Sequence, residues 1–170
     1  GPRFLNVNSK SHKQIDKNLE FGSINSVHGS CMFINKENFL KIGGFDDNFF
    51  LYFEETDYCN RGSKIKLKSY QINSIKVNSI GRSVHFTDKE SQDKVSELLL
   101  WHFIWSKFYF YKKRYGWLIA LIIFFPTILR TIFKLILLQL LHKKKKSLKY
   151  KIRLSGLLNS IVGNSSSKRL

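Results

Sequence analysis

The sequence predicts an α/β domain, incomplete as it stands, followed by a helical tail that associates with a membrane. Charge is divided unevenly: positions 1–100 hold fourteen Lys/Arg and all twelve Asp/Glu, whereas 101–170 hold fifteen Lys/Arg and no acid. Residues 27–77 alternate short apolar runs with capped, glycine-stopped helical stretches, the rhythm of strands and helices. Trp117–Leu141 is a 25-residue apolar segment bordered by basic clusters. An apolar fraction of 43% supports a real core and excludes wholesale disorder.

The elements follow in order. Residues 7–20, rich in Asn, Ser and Lys, read as a loop. Val27–Ile34, broken by Gly29, reads as a buried strand. Asn35 caps a short helix that runs to Ile42, where Gly43 and Gly44 stop it. Phe45–Asn48 is turn chemistry, and Phe49–Phe53 is a dense aromatic run. Glu54–Lys64 is predicted to be a helix, with acids in its first turn and Arg61 and Lys64 in its last, as the helix dipole favours. Ile65–Lys68 and Ile75–Val77 read as further strands, and Gly81-Arg82-Ser83 as a turn. From Lys94 the character changes, and an aromatic helix opening at Leu98 leads into the apolar segment. Two domains are expected, 1–93 and 94–170. Cys31 and Cys59 show no metal-binding spacing and read as two reduced, mostly buried thiols. The opening Gly1–Asn6 reads like the interior of a longer protein.

Hydropathy alone does not decide whether Trp117–Leu141 crosses a bilayer. Its 17 Leu, Ile and Phe residues favour insertion by roughly 5–10 kcal/mol, and Arg130 with Lys134 cost roughly 5–7. The flanks decide. Lys112–Arg114 precede the segment and Lys143–Lys146 follow it, and a single span would put one cluster on the wrong side. The expectation is a monotopic or peripheral anchor on the cytoplasmic face, held partly by an anionic membrane surface.

Glu54, Glu55 and Asp57 crowd the start of a helix, where free backbone N–H groups stabilise anions. Crowding and an adjoining aromatic run raise carboxylate pKa values, which suits a general base acting on a hydroxyl. Ordinary N-terminal capping accounts for the same spacing. His28 reads as a structural or acceptor-lining residue.

Three linked motifs carry a resemblance. They are Gly29-Ser30-Cys31-Met32-Phe33-Ile34, then Gly43-Gly44-Phe45-Asp46-Asp47-Asn48-Phe49-Phe50, then Glu54-Glu55-Thr56-Asp57-Tyr58-Cys59-Asn60-Arg61. In order and spacing they resemble the C-terminal half of the catalytic domain of family-2 glycosyltransferases, in the rhamnosyltransferase-like branch. The resemblance implies a GT-A-type, Rossmann-like fold. It also implies inverting transfer of a sugar from a nucleotide-diphosphate donor to a hydroxyl of a lipid-linked or polysaccharide acceptor, in cell-envelope synthesis. It places the general base at Glu55, with Glu54 beside it and Asp57 orienting the helix. It assigns substrate contacts to Gly29, Gly44, Asp46, Arg61 and Arg82. Glu55 departs from the family's usual Asp by one methylene. Ser79 stands where the family often has a His near the donor diphosphate, with His85 as a distant substitute. A divalent metal, Mg or Mn, is implied mainly through an N-terminal half that precedes Gly1, so these 170 residues alone are expected to be inactive.

Two other readings compete. One is a nucleic-acid-binding module, from the net charge of +17 and the aromatics interleaved with cations in 101–117. The apolar density of 117–141 has no use on a phosphate backbone, so a nucleic-acid partner is not expected. The other is a membrane-anchored interaction protein with no chemistry.

Overall fold

The computed structural model describes residues 20–78 and 88–169. The chain divides into two compact units. The described parts are residues 20–46 with 54–78 in one, and 47–53 with 88–169 in the other.

The first unit contains strand β1 (Phe21–Ile24), helices α1 (Lys36–Ile42) and α2 (Glu54–Lys64), and strand β2 (Ser69–Ile72). The strands pair antiparallel in the register Phe21↔Ile72 to Ile24↔Ser69, and Phe21 meets Tyr70 edge-on across the pair. The Asn35 side chain accepts from the Asn38 N–H at 3.0 Å and starts α1. A Schellman closure ends it: Gly43 N–H donates to Leu40 O and Gly44 N–H to Phe39 O, with φ of 85° and 69° at the two glycines. α1 lies close on α2 because Gly62 has no side chain; a Cβ there would stand 3.1 Å from Ile42 Cδ1. Phe39, Phe45 and Tyr58 fill the join with ring centroids 5.2–5.9 Å apart.

The second unit consists of helices α3 (Lys89–Tyr115), α4 (Trp117–Leu140) and α5 (Lys144–Val162), with the aromatic run on α3. Phe49 packs on Tyr109, Phe50 on His102, Tyr52 on Phe103, and Phe53 on Phe103 and Phe110. α5 presents small residues to α3. A Cβ on Gly156 would lie 2.8 Å from the Trp101 carbonyl oxygen, and Ser160 Oγ donates to the Trp105 carbonyl at 2.9 Å. α4 runs antiparallel to α5: Trp117 Nε1 donates to Ile161 O at 3.0 Å near one end, and Lys134 lies over the Tyr150 ring further along. Ala120, Phe124 and Thr131 form its buried stripe. On the opposite face Leu118, Ile122, Leu129, Phe133, Ile136 and Leu140 are exposed. Among the described residues α4 is the one helix long and apolar enough to cross a membrane.

The α/β expectation, and the GT-A-type Rossmann-like sheet with it, is overturned. Helix makes up 62% of the described residues and strand 6%, in one two-stranded antiparallel pair. Val27–Ile34 forms no strand: its backbone turns at Gly29, and Cys31 N–H reaches back to His28 O. Ile65–Lys68 serves as a helix ending instead. Lys66 N–H donates to Ser63 O and Leu67 N–H to Gly62 O, with Lys66 at φ 65°, a second Schellman closure with lysine in glycine's place. Pairing begins only at Ser69. Ile75–Val77 is irregular.

Candidate functional site

The start of α2 carries the three acids, and their environments differ. Asp57 is buried and bonded to Arg61 one turn later, Nε to Oδ2 at 2.8 Å. The same guanidinium donates to the carbonyls of Ile42, at 2.6 Å, and of Gly44. Arg61 therefore fastens the glycine turn after α1 to α2, and Asp57 supplies the counter-charge. Asp46 is half-buried just beyond that turn.

Glu54 and Glu55 have a different setting. Each has one carboxylate oxygen, Oε2, that is buried and lacks a hydrogen-bond partner. Burial pushes the Glu54 pKa up; its own backbone N–H works against this, and the Glu55 charge and a side-chain hydrogen bond with Glu55 push it up further. Glu54 thus keeps its proton to higher pH than an ordinary carboxyl.

Glu55 lines a cavity of about 690 Å³, together with Ser26, His28, Cys31, Asn38 and Thr56. Gly29 lies across from it, and a Cβ there would stand 3.8 Å from Glu55 Cδ, so the glycine leaves the carboxylate accessible. Ser26 Oγ donates to Thr56 Oγ1 at 3.2 Å, tying the loop before Gly29 to α2. His28 Nδ1 accepts from the Ser30 N–H at 3.3 Å, which leaves the neutral ring's proton on Nε2. Tyr58, buried at the cavity wall, has its phenol pKa raised by burial and further by Cys59, with the Arg61 charge opposing.

The chain reaches α2 through Tyr52 and Phe53, at φ 67° and 72°. Aromatic side chains rarely adopt this region, and each instance costs about 1–3 kcal/mol.

The expected site residues thus fall into two sets. Glu55 lines the open cavity, with Gly29 close to its carboxylate and Glu54 next to it in the chain, whereas Gly44, Asp57 and Arg61 form a closed brace. Ser79, Arg82 and His85 lie outside the described residues. No group of three or more His, Cys, Asp or Glu among the described residues could hold a metal ion. Sequence reading passed over the Ser26–Thr56 bond, because isolated hydroxyls thirty positions apart carry no pattern.

A stretch of 41 residues is 39% identical to the low-salt glycan biosynthesis hexosyltransferase Agl10 of Haloferax volcanii, and it covers 24% of this chain and 13% of that protein. Over that short stretch the likeness points to glycosyltransferase activity. No family model matches the chain, and no solved structure does.

Proposed function

We propose that this chain contributes the acceptor-activating part of an inverting, family-2-type glycosyltransferase, with Glu55 as the general base. The observation that carries the reading is the Glu55 carboxylate, buried at one oxygen and without a partner for it, at the edge of a cavity that could take a sugar hydroxyl. The local likeness to a hexosyltransferase and the order of the three motifs support it. In the proposed step Glu55 takes the proton from an acceptor hydroxyl, and that oxygen attacks the anomeric carbon of a nucleotide-diphosphate sugar. The bond to the diphosphate breaks, and the leaving group departs with the electron pair. Direct displacement inverts the anomeric centre. Glu54 stands beside Glu55, and burial makes it keep its proton to higher pH than an ordinary carboxyl. Arg61 and Asp57 position α2. Mg or Mn would assist departure of the diphosphate, but the described residues supply no ligand set for it.

Glu55→Gln, made in the longest form of the enzyme that transfers sugar, keeps the shape and removes the proton acceptor. Turnover should fall about 10²–10⁴-fold. Near-normal turnover in Glu55→Gln beside a dead Glu54→Gln would move the role to Glu54.

The helical unit is proposed to hold the enzyme at the cytoplasmic face, with α4 lying in the interface and a lipid-linked or polysaccharide acceptor presented there. A spanning α4 would draw its antiparallel partner α5 into hydrocarbon. α5 carries Lys144, Lys145, Lys146, Lys149, Lys151 and Arg153, and each that reached the bilayer centre would cost roughly 2.5–3.5 kcal/mol. An in-plane α4 keeps its exposed apolar face in lipid and these cations among headgroups. Cysteines introduced at Lys113 and Lys144 should both react from the cytoplasmic side. A site labelled only from the far side would make α4 a true span.

A further inference from the structure

The C-terminal end of α4 and the first two turns of α5 enclose a groove of about 520 Å³ whose lining is divided chemically. Lys144, Lys145, Lys151 and His142 provide four nitrogen-bearing side chains, and Gln139 adds an amide. Leu138 and Leu148 supply apolar wall, with Leu140 and Leu141 exposed beside it. Among the described residues Lys144, Lys145 and Lys151 have no acidic partner: residues 98–170 contain no Asp or Glu, and the ion pairs lie elsewhere. Like charges gathered without a counter-ion repel one another, and an anion relieves that repulsion.

We infer that this groove binds the phosphomonoester headgroup of a membrane lipid. A monoester carries close to two charges at neutral pH and presents three acceptor oxygens, which suits three lysines lining one groove. A phosphodiester headgroup carries one charge and satisfies fewer of them. Leu138 and Leu148 in the lining favour a phosphate attached to a hydrocarbon chain over a free one, and over a nucleic-acid backbone. The inference rests on the interfacial placement of α4 proposed above and adds headgroup selectivity to it.

The test is flotation of the full chain with phosphatidylcholine vesicles containing either phosphatidic acid or phosphatidylglycerol, adjusted to equal surface charge. The wild type should prefer phosphatidic acid about tenfold or more. Lys144→Gln with Lys151→Gln should lower affinity for phosphatidic acid vesicles about thirtyfold and erase the preference. Lys146→Gln with Lys149→Gln removes the same charge from α5 outside the groove and should keep the preference. All four lysines are exposed, so circular dichroism should confirm unchanged helix content in every variant. Equal binding to the two vesicles, or a preference lost equally in both double variants, overturns the headgroup site while leaving membrane association standing. Absence of binding to any vesicle overturns both. Soluble glycerol phosphate that matches the vesicles in affinity would make the ligand a free phosphate, and single-stranded RNA that displaces them would make it a nucleic acid; either result overturns the lipid assignment.

Discussion

The two units of this chain solve the problem of burial differently. In the helical unit, α3 contributes fully enclosed rings: Phe108 is 0% exposed and Phe110 1%, and the aromatic run, α4 and α5 all pack on the same helix. In the unit that bears the carboxylates, the buried hydrophobic residues among those described are Tyr58 and Cys59, while Phe33 is 94% exposed and Leu40 68%. There a single guanidinium and two helix closures fix the geometry that packing fixes in the helical unit. Where apolar contact is plentiful, one substitution removes one contact among many. Where it is scarce, one polar residue sets the shape.

The largest effect should come from deleting a ring at the helical core. Phe108 packs edge-on to Phe124 at 5.2 Å and has no exposed surface. Phe108→Ala should destabilise that unit by about 3–5 kcal/mol. Urea unfolding followed by Trp fluorescence reads this directly, since Trp101, Trp105 and Trp117 all lie in that unit. A loss below about 1 kcal/mol would mean that the core rests elsewhere.

In the other unit the corresponding deletion is polar. Arg61→Ala leaves Asp57 buried without its cation and leaves the Ile42 and Gly44 carbonyls without their donor. A loss of about 2–3 kcal/mol is expected, set by hydrogen bonds to a charged group and moderated because the Arg61 side chain is partly exposed. Amide exchange should quicken at Gly43–Asp46 and along α2. Arg61→Lys should recover only part, since an ammonium cannot span three acceptors in the fork's geometry.

Two glycines sharpen the contrast. Gly156→Ala drives a Cβ to 2.8 Å from the Trp101 carbonyl oxygen, which is backbone and cannot turn aside, so α5 must shift. A cost of about 1–3 kcal/mol is expected. Gly29→Ala places its Cβ 3.8 Å from Glu55 Cδ, an ordinary contact, and should change stability by less than about 0.5 kcal/mol. Side-by-side denaturation of the two variants checks both statements. If Gly29→Ala nonetheless slows sugar transfer, crowding at the carboxylate is the cause.

What could be read from the sequence tracks local chemistry. α2 matches its predicted limits, Glu54–Lys64, because its acids and bases mark both ends. α1 matches because Asn35 and the Gly43–Gly44 pair punctuate it. α4 ends one residue before the apolar segment does. The strands did not follow, because β1 and β2 owe their pairing to a partner about fifty positions away. Ile65–Lys68 looked like a strand because its alternation is genuine, yet a lysine holding the left-handed position turns it into a helix ending. α5 escaped notice because much of the face it buries is small, Ser147, Gly156 and Ser160, and carries no hydrophobic period. At the site, the acids were legible as a cluster, but the pairing that separates Asp57 from Glu54 and Glu55 depends on Arg61 folding back onto α1.

The smallest expected effect is an opposite pH response in the two units. In the helical unit His102 is enclosed; its Nε2 lies 2.8 Å from the Lys168 carbonyl and therefore carries the proton, while Nδ1 accepts from the Ser166 hydroxyl at 2.8 Å. Burial lowers its pKa, the Lys168 carbonyl opposes that, and the Arg169 and Lys168 charges lower it further. The unfolded chain therefore binds a proton below about pH 6.5 that the folded unit still refuses. Stability contributed by His102 is full above that value and falls as pH falls. Glu54 has the reverse sign. Its folded pKa lies above the ordinary 4.5, so the unfolded chain loses its proton first, and stability contributed by Glu54 falls as pH rises from there through the raised value. Acidification from pH 7.5 to 5.5 should thus loosen the helical unit and leave the carboxylate unit as firm or firmer. Amide exchange resolved by residue, corrected for the intrinsic pH dependence of exchange, separates the two. His102→Gln should abolish the acid sensitivity of α3, and Glu54→Gln should abolish the alkaline loosening of α2. Parallel loosening of both units on acidification, unchanged by His102→Gln, would show that the enclosed imidazole does not set the response.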